Sequence, residues 1–349
     1  MQDQKKASVK DIASRLHISL STVHKALTGK PGISDARRRQ VIDTAEEMGY
    51  VVNTVAQTLS RKSLNIGIIL PSMWQEFFQQ LKKGIEEQLL EMEEYKINGL
   101  YYIIDIHPNN AAAEKLKAWV VDNQIEAVLY CASNHIINSF AQKTLGALDC
   151  PVFWVGGSVN SPISVSSITI DAEMIGKVAA DFLCCIAVAE VKSAVFTGSM
   201  KTDIHKSKTE AFCRRMLENG GEVLAVYETE DDPEKTKVSI VNLFEEHPNV
   251  NAIYVSTSTS EPICRYLEES GLSASVTLLG TDIFDALKDY MNKGVMKATI
   301  SQNQAEVGRL AAATAYEYLH RSSSYGNADW KPERQILVKP SLLLRANIE

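Results

Sequence analysis

The 349-residue sequence lacks any run of about 18 consecutive apolar residues, the length that a membrane-spanning helix requires. Its N-terminus, MQDQKKASVK, also lacks the apolar core of a signal peptide. We therefore expect a cytoplasmic protein with no membrane partner. Hydrophobic residues make up 45% of the chain and charged residues 23%, which is typical of a globular protein.

Cysteine is scarce and shows no metal-binding pattern. The six cysteines form no CxxC pair and have no histidine at metal-ligand spacing, and the adjacent Cys184 and Cys185 point to different sides of any helix. We interpret them as buried free thiols and expect no metal and no cofactor. The motifs GxSxG, GxxxxGK(S/T), GxGxxG and HExxH are missing as well, so the sequence does not favour an enzyme.

Charge is unevenly distributed along the chain. The net charge is -7, yet residues 1–62 carry +5 and the remainder carries -12. A basic N-terminal segment on an acidic body predicts a polyanionic partner for that segment alone. The acidic run YETEDDPEKTK, residues 227–237, is interpreted as a solvated surface loop.

The first fifty residues predict three short helices and no strand. Ser8 with Asp11 forms a capping box for the segment VKDIASRL. After a three-residue turn, Ser19 caps a second helix, LSTVHKAL, and Ser34 caps a third, DARRRQVIDTAEEMG. Two helices joined by such a turn, with a third that closes the core, predict a helix-turn-helix domain over residues 1–50.

The second helix has a mixed outer surface that favours DNA reading. Val23, Ala26 and Leu27 point inward. A lysine on the outer side donates to guanine, a hydroxyl or an imidazole contacts bases or phosphates, and a leucine contacts a thymine methyl group. The predicted base contacts are Leu20, Ser21, Thr22, His24 and Lys25. The predicted phosphate contacts are Lys5, Lys6, Lys30 and the run Arg37 to Arg39. The alternative is a helix-turn-helix that only packs against protein.

From Leu64 onward, short β-rich runs alternate with amphipathic segments. LNIGIIL and AVLYCA are examples of the runs, and EFFQQLKKGIEEQLLEME is an example of the segments. Such alternation is typical of βαβ units, and the number of runs is sufficient for two parallel sheets. The last run, QILVKPSLLL, is predicted as a single strand.

Four motifs carry a resemblance to a known family. They are V-K-D-I-A in the first helix, S-x-S-T-V at the second, V-x-x-x-A-E-E-M-G-Y in the third and N-x-x-A-x-x-L after it. Together they resemble the LacI (lactose repressor) family of bacterial transcription regulators, and a weaker likeness continues to Arg345. The resemblance implies a small all-α helix-turn-helix domain, a hinge over residues 51–63, and an α/β periplasmic-binding-protein-like body over residues 64–349.

The implied body has two parallel-sheet subdomains with a ligand in the cleft between them. We expect the first subdomain over about residues 64–165 and 300–328, and the second over about residues 166–298 and 330–349.

The linker NTVAQTLS is implied to become a hinge helix on DNA. It is shorter than the about 12 residues that a stable isolated helix requires, so it folds only with help. By position, Leu59 matches the leucine that wedges into the minor groove, with Ala56 beside it and Asn53 at the start of the motif. The alternative is that Leu59 packs against the body. Two hinge helices in one groove imply a homodimer on a near-palindromic, double-stranded DNA operator.

Effector contacts are predicted in the loops at the carboxyl ends of the strands, where open parallel sheets bind ligands. The candidates are Phe77, Phe78, Asp171, Lys208, Asp282 and Gln302. Asp282 matches the family aspartate that accepts hydrogen bonds from effector hydroxyls, with helix capping as the alternative. Aromatic rings at 74, 77 or 78 stack on a sugar unless they belong to the core. The pair Gly156-Gly157 leaves room in the cleft or marks a turn.

Lys208 stands where many relatives carry an arginine that clamps the effector. A lysine supplies a point charge instead of a bidentate fork. With Lys201, His205 and Lys206 near a helix start, one interpretation is an anionic effector such as a sugar acid or sugar phosphate; the other is a solvated lysine cluster.

The family resemblance implies an effector-controlled transcription regulator, most often a repressor, whose small-molecule effector is a sugar or a sugar derivative. The alternative is a cytosolic sugar-sensing solute-binding protein without gene control.

Overall fold

The computed structural model describes residues 7–27, 32–48, 50, 63–72, 76–105, 107–132, 135–157, 163–324 and 332–348. Some predicted contacts lie outside these residues and stay predictions: Lys5, Lys6, Lys30, Asn53, Ala56, Leu59 and Trp74.

The N-terminal segment forms three helices, α1 (Val9–Leu16), α2 (Leu20–Leu27) and α3 (Asp35–Glu47). The capping box at α1 is confirmed, because Asp11 N donates to the Ser8 hydroxyl while the Asp11 carboxylate accepts from Ser8 N. The three helices bury one small apolar core of their own. Its fully buried members are Ile12, Val23 and Val41.

Six strands form the first sheet in the order β11-β5-β4-β3-β1-β2, and every pair is parallel. The strands are β1 (Leu64–Pro71), β2 (Ile97–Ile104), β3 (Ile125–Cys131), β4 (Val152–Val155), β5 (Ser164–Ile170) and β11 (Gln335–Val338). The helices of this subdomain are α4 (Glu76–Glu91), α5 (Asn110–Asp122), α6 (His135–Leu145) and α12 (Gln304–Ser324). The central strands are buried on both faces, which is why they are continuous apolar runs.

Six more strands form the second sheet in the order β12-β10-β9-β8-β6-β7, parallel except for β12, which is antiparallel to β10. They are β6 (Lys192–Thr197), β7 (Glu222–Glu228), β8 (Ala252–Val255), β9 (Thr277–Thr281), β10 (Met296–Ser301) and β12 (Ser341–Leu343). The helices are α7 (Ala172–Ile186), α8 (Asp203–Glu218), α9 (Pro233–Glu246), α10 (Glu261–Glu269) and α11 (Asp285–Asn292). The predicted α/β body with two parallel sheets is confirmed.

The described chain passes between the two sheets three times, from β5 to α7, from β10 to α12 and from β11 to β12. The subdomain boundaries expected from the sequence need correction here. Both β5 and β11 belong to the first sheet, because β5 pairs with β4 and β11 pairs with β5. The run QILVKPSLLL is two strands in two sheets, with Pro340 between them, where the missing N–H suits an interruption of the ladder.

Two kinds of feature are absent from the described residues. None of their helices is long and apolar enough to cross a membrane. No group of three or more His, Cys, Asp or Glu side chains among them is arranged to hold a metal ion. The cysteines within these residues are free, and Cys131 and Cys264 are buried while Cys185 is exposed. The interpretation of buried thiols is therefore wrong for Cys185 and holds only in part for the half-buried Cys150, Cys184 and Cys213.

Helices α4 and α12 approach each other closely at two glycines. A Cβ atom on Gly84 would lie 1.8 Å from the Ala305 carbonyl oxygen, and one on Gly308 would lie 2.1 Å from the Leu81 carbonyl oxygen. Backbone atoms cannot move aside as side chains do. The helix that follows the second crossing is therefore held against the first subdomain by backbone contact.

We expect Gly84→Ala to lower the free energy of unfolding by about 2 kcal/mol. The added methyl group forces α4 and α12 apart, and this cost exceeds the roughly 1 kcal/mol that alanine gains over glycine in a helix. Urea denaturation of the whole protein measures the change. Lys83→Ala on the exposed side of α4 is the control and should leave stability within about 0.5 kcal/mol. A Gly84→Ala protein as stable as the control would contradict the close approach.

Candidate functional site

The position of helix α2 is fixed by a cap at its start and by a buried apolar side. At its start, Thr22 N donates to the Ser19 hydroxyl at 3.1 Å, as the predicted cap requires. Its buried side is formed by Val23, Ala26 and Leu27, which are at most 5% exposed. These contacts fix the rotation of the helix, and with it the side that faces solvent.

Three of the five predicted base contacts on α2 are exposed to solvent. Leu20 is 47% exposed, and Ser21 and His24 are exposed as well. Thr22 and Lys25 are half-buried, and the Thr22 hydroxyl lies 2.8 Å from that of Ser19. Thr22 therefore contributes to the cap, while the exposed residues form the surface available to DNA. Direct contact with bases stays a prediction for all five.

Arg38, which the sequence predicts as a phosphate contact, also makes hydrogen bonds within the protein. Its Nη1 donates to the carbonyl oxygens of Lys25 at 3.0 Å and Ala26 at 3.3 Å. These carbonyls belong to the last turn of α2, where a cation is favourable and unpaired acceptors need donors. Arg38 thus ties α3 to the end of α2, whereas the neighbouring Arg37 and Arg39 are exposed.

A cluster of polar side chains lies at the carboxyl ends of the strands of the second sheet. Asp282 directly follows β9, Gln302 follows β10 and Ser256 follows β8, while Lys208 reaches them from α8. Parallel strands bring these ends to one edge, so residues far apart in sequence become neighbours. Of the six predicted effector contacts, Lys208, Asp282 and Gln302 meet here.

Gln302 holds the carboxylate of Asp282 with two hydrogen bonds. Its backbone N donates to Oδ1 at 3.0 Å and its Nε2 donates to Oδ2 at 2.5 Å. Asp282 is 4% exposed and has φ +60°, a conformation rarely adopted by non-glycine residues. Burial raises the pKa of this carboxyl group, while the donors from Gln302 oppose the rise. The structure assigns no cap of a helix to Asp282, since Phe284 stands at the start of α11.

Lys208 is 2% exposed and donates its ammonium protons within the cluster. Its Nζ lies 2.5 Å from the Ser256 carbonyl oxygen and 3.4 Å from Gln302 Oε1. Burial lowers the pKa of Lys208 to about 8, against the pull of the nearby Asp282 and Asp231 carboxylates. The interpretation as a solvated lysine is therefore wrong for Lys208.

His205 and Asp231 were not among the predicted contacts, yet they join this cluster. His205 Nε2 lies 3.6 Å from Asp231 Oδ2, and both side chains are less than one-third exposed. Burial raises the pKa of Asp231 and lowers that of His205 to about 3, so the imidazole is neutral. The run YETEDDPEKTK is thus only partly a surface loop, because Thr229 is fully buried. The sequence feature that could have identified Asp231 as a site residue is its position, three residues after the end of β7.

The other three predicted effector contacts, Phe77, Phe78 and Asp171, lie at the first sheet and are not part of the cluster around Asp282. Phe78 is 6% exposed and packs in the apolar core, so it is withdrawn as a ring that stacks on a sugar. Phe77 is half-buried and packs edge-to-face against Phe78, and its ring lies beside Gly156 at the end of β4. Asp171 caps α7, accepting from Met174 N at 2.9 Å. Phe77 and Asp171 therefore stay predictions.

The glycine pair after β4 supports the interpretation as a turn and gives no support to that of room in the cleft. Gly156 has φ +73°, which marks a turn. A Cβ atom on Gly157 would lie 2.1 Å from Ala132 Cβ, so a side chain does not fit there.

Asn303 links the cluster to the crossings between the sheets. It follows Gln302, has φ +53°, and its Nδ2 donates to the Lys339 carbonyl oxygen at 2.7 Å and to the Ser341 hydroxyl at 3.1 Å. The second and third crossings are thereby joined next to the residue that holds Asp282.

Comparison with known proteins gives one family and several relatives. The family model described as periplasmic binding protein domain matches residues 66–322. Catabolite control protein A of Priestia megaterium is 27% identical over 256 residues, which covers 72% of this chain and 74% of that protein. The ribose operon repressor of Haemophilus influenzae is 19% identical over 351 residues, covering 98% of each.

Among solved structures, the lac repressor dimer bound to operator and the anti-inducer ONPF is similar to this chain. The TM-score is 0.65 at 18% identity, over 97% of this chain and 98% of that one. At this identity the likeness shows the fold alone.

We expect Arg38→Ala to loosen α2. Loss of two charge-assisted hydrogen bonds costs about 1.5 kcal/mol, so the α2 amides should exchange with deuterium roughly tenfold faster, as measured by mass spectrometry. Arg37→Ala is the matched control, because Arg37 bonds to Gln40 on the exposed side. Equal exchange in the two variants would show that Arg38 does not hold the helix.

We expect Lys208 to make stability depend on pH in a defined window. From about pH 8 to the ordinary lysine pKa of 10.5, the unfolded chain holds a proton that the folded protein has released. Stability from this group therefore rises with pH. The unfolding free energy of the protein minus that of Lys208→Met should increase by about 3 kcal/mol across the window.

The corresponding difference for Lys206→Met, an exposed lysine on the same helix, should stay flat. Chemical denaturation at several pH values measures both. A flat difference for Lys208 would contradict the burial of its ammonium group.

Proposed function

The chain belongs to the LacI family of transcription regulators, which carries the periplasmic binding protein domain, and on this premise we propose that two copies bind a near-palindromic operator under the control of a sugar-type effector. It is a DNA-binding regulator, and we propose that it acts as a repressor in the cytoplasm. Its relatives are named as regulators and not as enzymes.

The observation that carries DNA binding is the exposed side of α2. Leu20, Ser21 and His24 lie in solvent on a helix whose opposite side is fully buried. An apolar group exposed among polar ones suits a major groove that presents thymine methyl groups beside hydrogen-bonding edges. The basic charge of residues 1–62 supports the same assignment, because phosphates attract it.

A homodimer supplies two copies of this helix and two linkers. A twofold protein matches a twofold DNA site, and the spacing of the half-sites follows from the dimer. Asn53, Ala56 and Leu59 are proposed to enter the minor groove at the centre, where a wedged side chain bends the duplex.

The cluster around Asp282 is the proposed effector site. Buried carboxylate and amide groups suit a polyhydroxylated ligand, since each hydroxyl both donates and accepts. A ligand controls DNA binding only if its affinity differs between the two arrangements of the dimer. Gln302 and Asn303 offer a physical route, because they connect the cluster to two crossings between the subdomains.

A solute-binding protein without gene control is the second candidate. It is favoured by the position of the family match, which covers the body and not the three N-terminal helices. It provides no role for the exposed side of α2.

We expect the intact protein to retard a palindromic DNA selected from random sequence, with nanomolar affinity that falls by about 10³-fold between about 50 and 200 mM salt. Leu59→Gly should abolish specific retardation, because the proposed wedge is lost. An unchanged thermal transition of that variant would show that the body remains folded. If the intact protein selects no sequence, gene control is refuted and the second candidate stands.

A further inference from the structure

Acidic groups outnumber basic groups in the cluster at the carboxyl end of the second sheet. Lys208 is its buried ammonium group, and it interacts electrostatically with the carboxylates of Asp282 and Asp231. His205 adds no charge, because burial and the neighbouring Lys208 lower its pKa to about 3. The cluster thus holds two carboxyl groups and a single ammonium group, and a bound anion would add a third acidic group beside them. The interpretation of an anionic effector is therefore disfavoured.

The two carboxylates differ in their hydrogen bonds. Asp282 receives two donors from Gln302 and is almost completely buried. Asp231 has no hydrogen bond to its carboxylate from the described residues, and its closest cationic or imidazole partner is His205 Nε2 at 3.6 Å. Its side chain is 27% exposed, so a ligand can reach it. A partly buried carboxylate without donors is unfavourable until a donor arrives.

The imidazole ring of His205 packs beside Asp231 and does not neutralise the charge of its carboxylate. A Cβ atom on Gly198 would lie 2.6 Å from His205 Nε2, so the ring fills the space above that glycine. Its Nδ1 is enclosed and has no hydrogen-bond partner among the described residues. A neutral imidazole has a single N–H, and the geometry is consistent with that proton on Nε2, facing Asp231. His205 is thus a positioning residue for the carboxylate.

We propose that the effector is an amino sugar whose single ammonium group pairs with Asp231, and that Asp231 determines this specificity. The inference rests on the proposed effector site and names its ligand class. A primary ammonium offers three donors to the Asp231 carboxylate and adds a second cation to a cluster that holds two carboxyl groups. A ligand with several positive charges is disfavoured, because the second charge would face Lys208. The ring hydroxyls remain for the rest of the cleft.

Matched sets of sugars test the ligand class on the full-length protein. The probes are D-glucosamine, D-galactosamine and D-mannosamine, each with its neutral parent hexose and its N-acetyl derivative, together with D-gluconate, D-glucose 6-phosphate and spermidine. Thermal shift ranks them and calorimetry gives affinities. We expect at least one amino sugar to bind about tenfold or more tightly than its parent and its N-acetyl derivative.

Asp231→Asn tests the residue, because it keeps the shape and removes the charge. The variant should lose about tenfold or more in affinity for the amino sugar and keep its affinity for the parent hexose within about twofold. Glu230→Gln is the matched control, since Glu230 is the adjacent acid but is exposed and paired with Lys235. It should change neither affinity. The thermal transition of ligand-free Asp231→Asn should change little, because the lost attraction to Lys208 is offset by the removal of a desolvated carboxylate.

Three results would overturn the inference. They are tighter binding of the phosphate, the acid or spermidine, an unchanged amino-sugar preference in Asp231→Asn, and no response to any amino sugar. Gel retardation of the same samples separates the two proposals. A protein that binds its operator but prefers a sugar phosphate refutes only the ligand class, whereas one that binds amino sugars and no DNA refutes gene control.

Discussion

A carboxylate removed from water must find donors inside the protein, and the buried Asp282 meets this requirement through Gln302. That single residue donates twice to Asp282 and accepts from Lys208, so three polar groups satisfy one another at the end of the second sheet. Their burial requires the strand ends, α8 and the second crossing to keep their positions. A displaced Gln302 would remove two donors from the buried Asp282 carboxylate and one acceptor from the Lys208 ammonium, at a cost of several kcal/mol.

The same arrangement relates ligand binding to the geometry of the body. Gln302 belongs to the chain between β10 and α12, and Asn303 beside it bonds to the chain between β11 and β12. The helix that follows is held to α4 through glycine contacts with backbone atoms. A change in the hydrogen bonds of Asp282 thus acts on residues that join the two subdomains, which is where a shift between two arrangements would have to occur.

Local features of the sequence predicted local features of the structure. Ser8, Ser19 and Ser34 cap the helices expected of them, because a cap depends on atoms within a few residues. Asp282 was predicted from the family resemblance and Gln302 from its position after a β-rich run, and both lie at the carboxyl ends of strands in the second sheet. The internal partners of Arg38 and Asp231 were not predicted, because they come from other segments: Arg38 meets the end of α2, and Asp231 lies near a lysine more than twenty residues earlier.

By itself, the sequence determined the three N-terminal helices, the alternation of strands and helices, and the mixed side of α2, since these follow from periodicity, capping and side-chain type. Only the tertiary structure decided that β5 and β11 join the first sheet, because hydrogen-bonding partners lie far away along the chain. It also decided which charged groups lose water. Lys208 and Lys206 look alike in sequence, and packing alone buries the first and exposes the second.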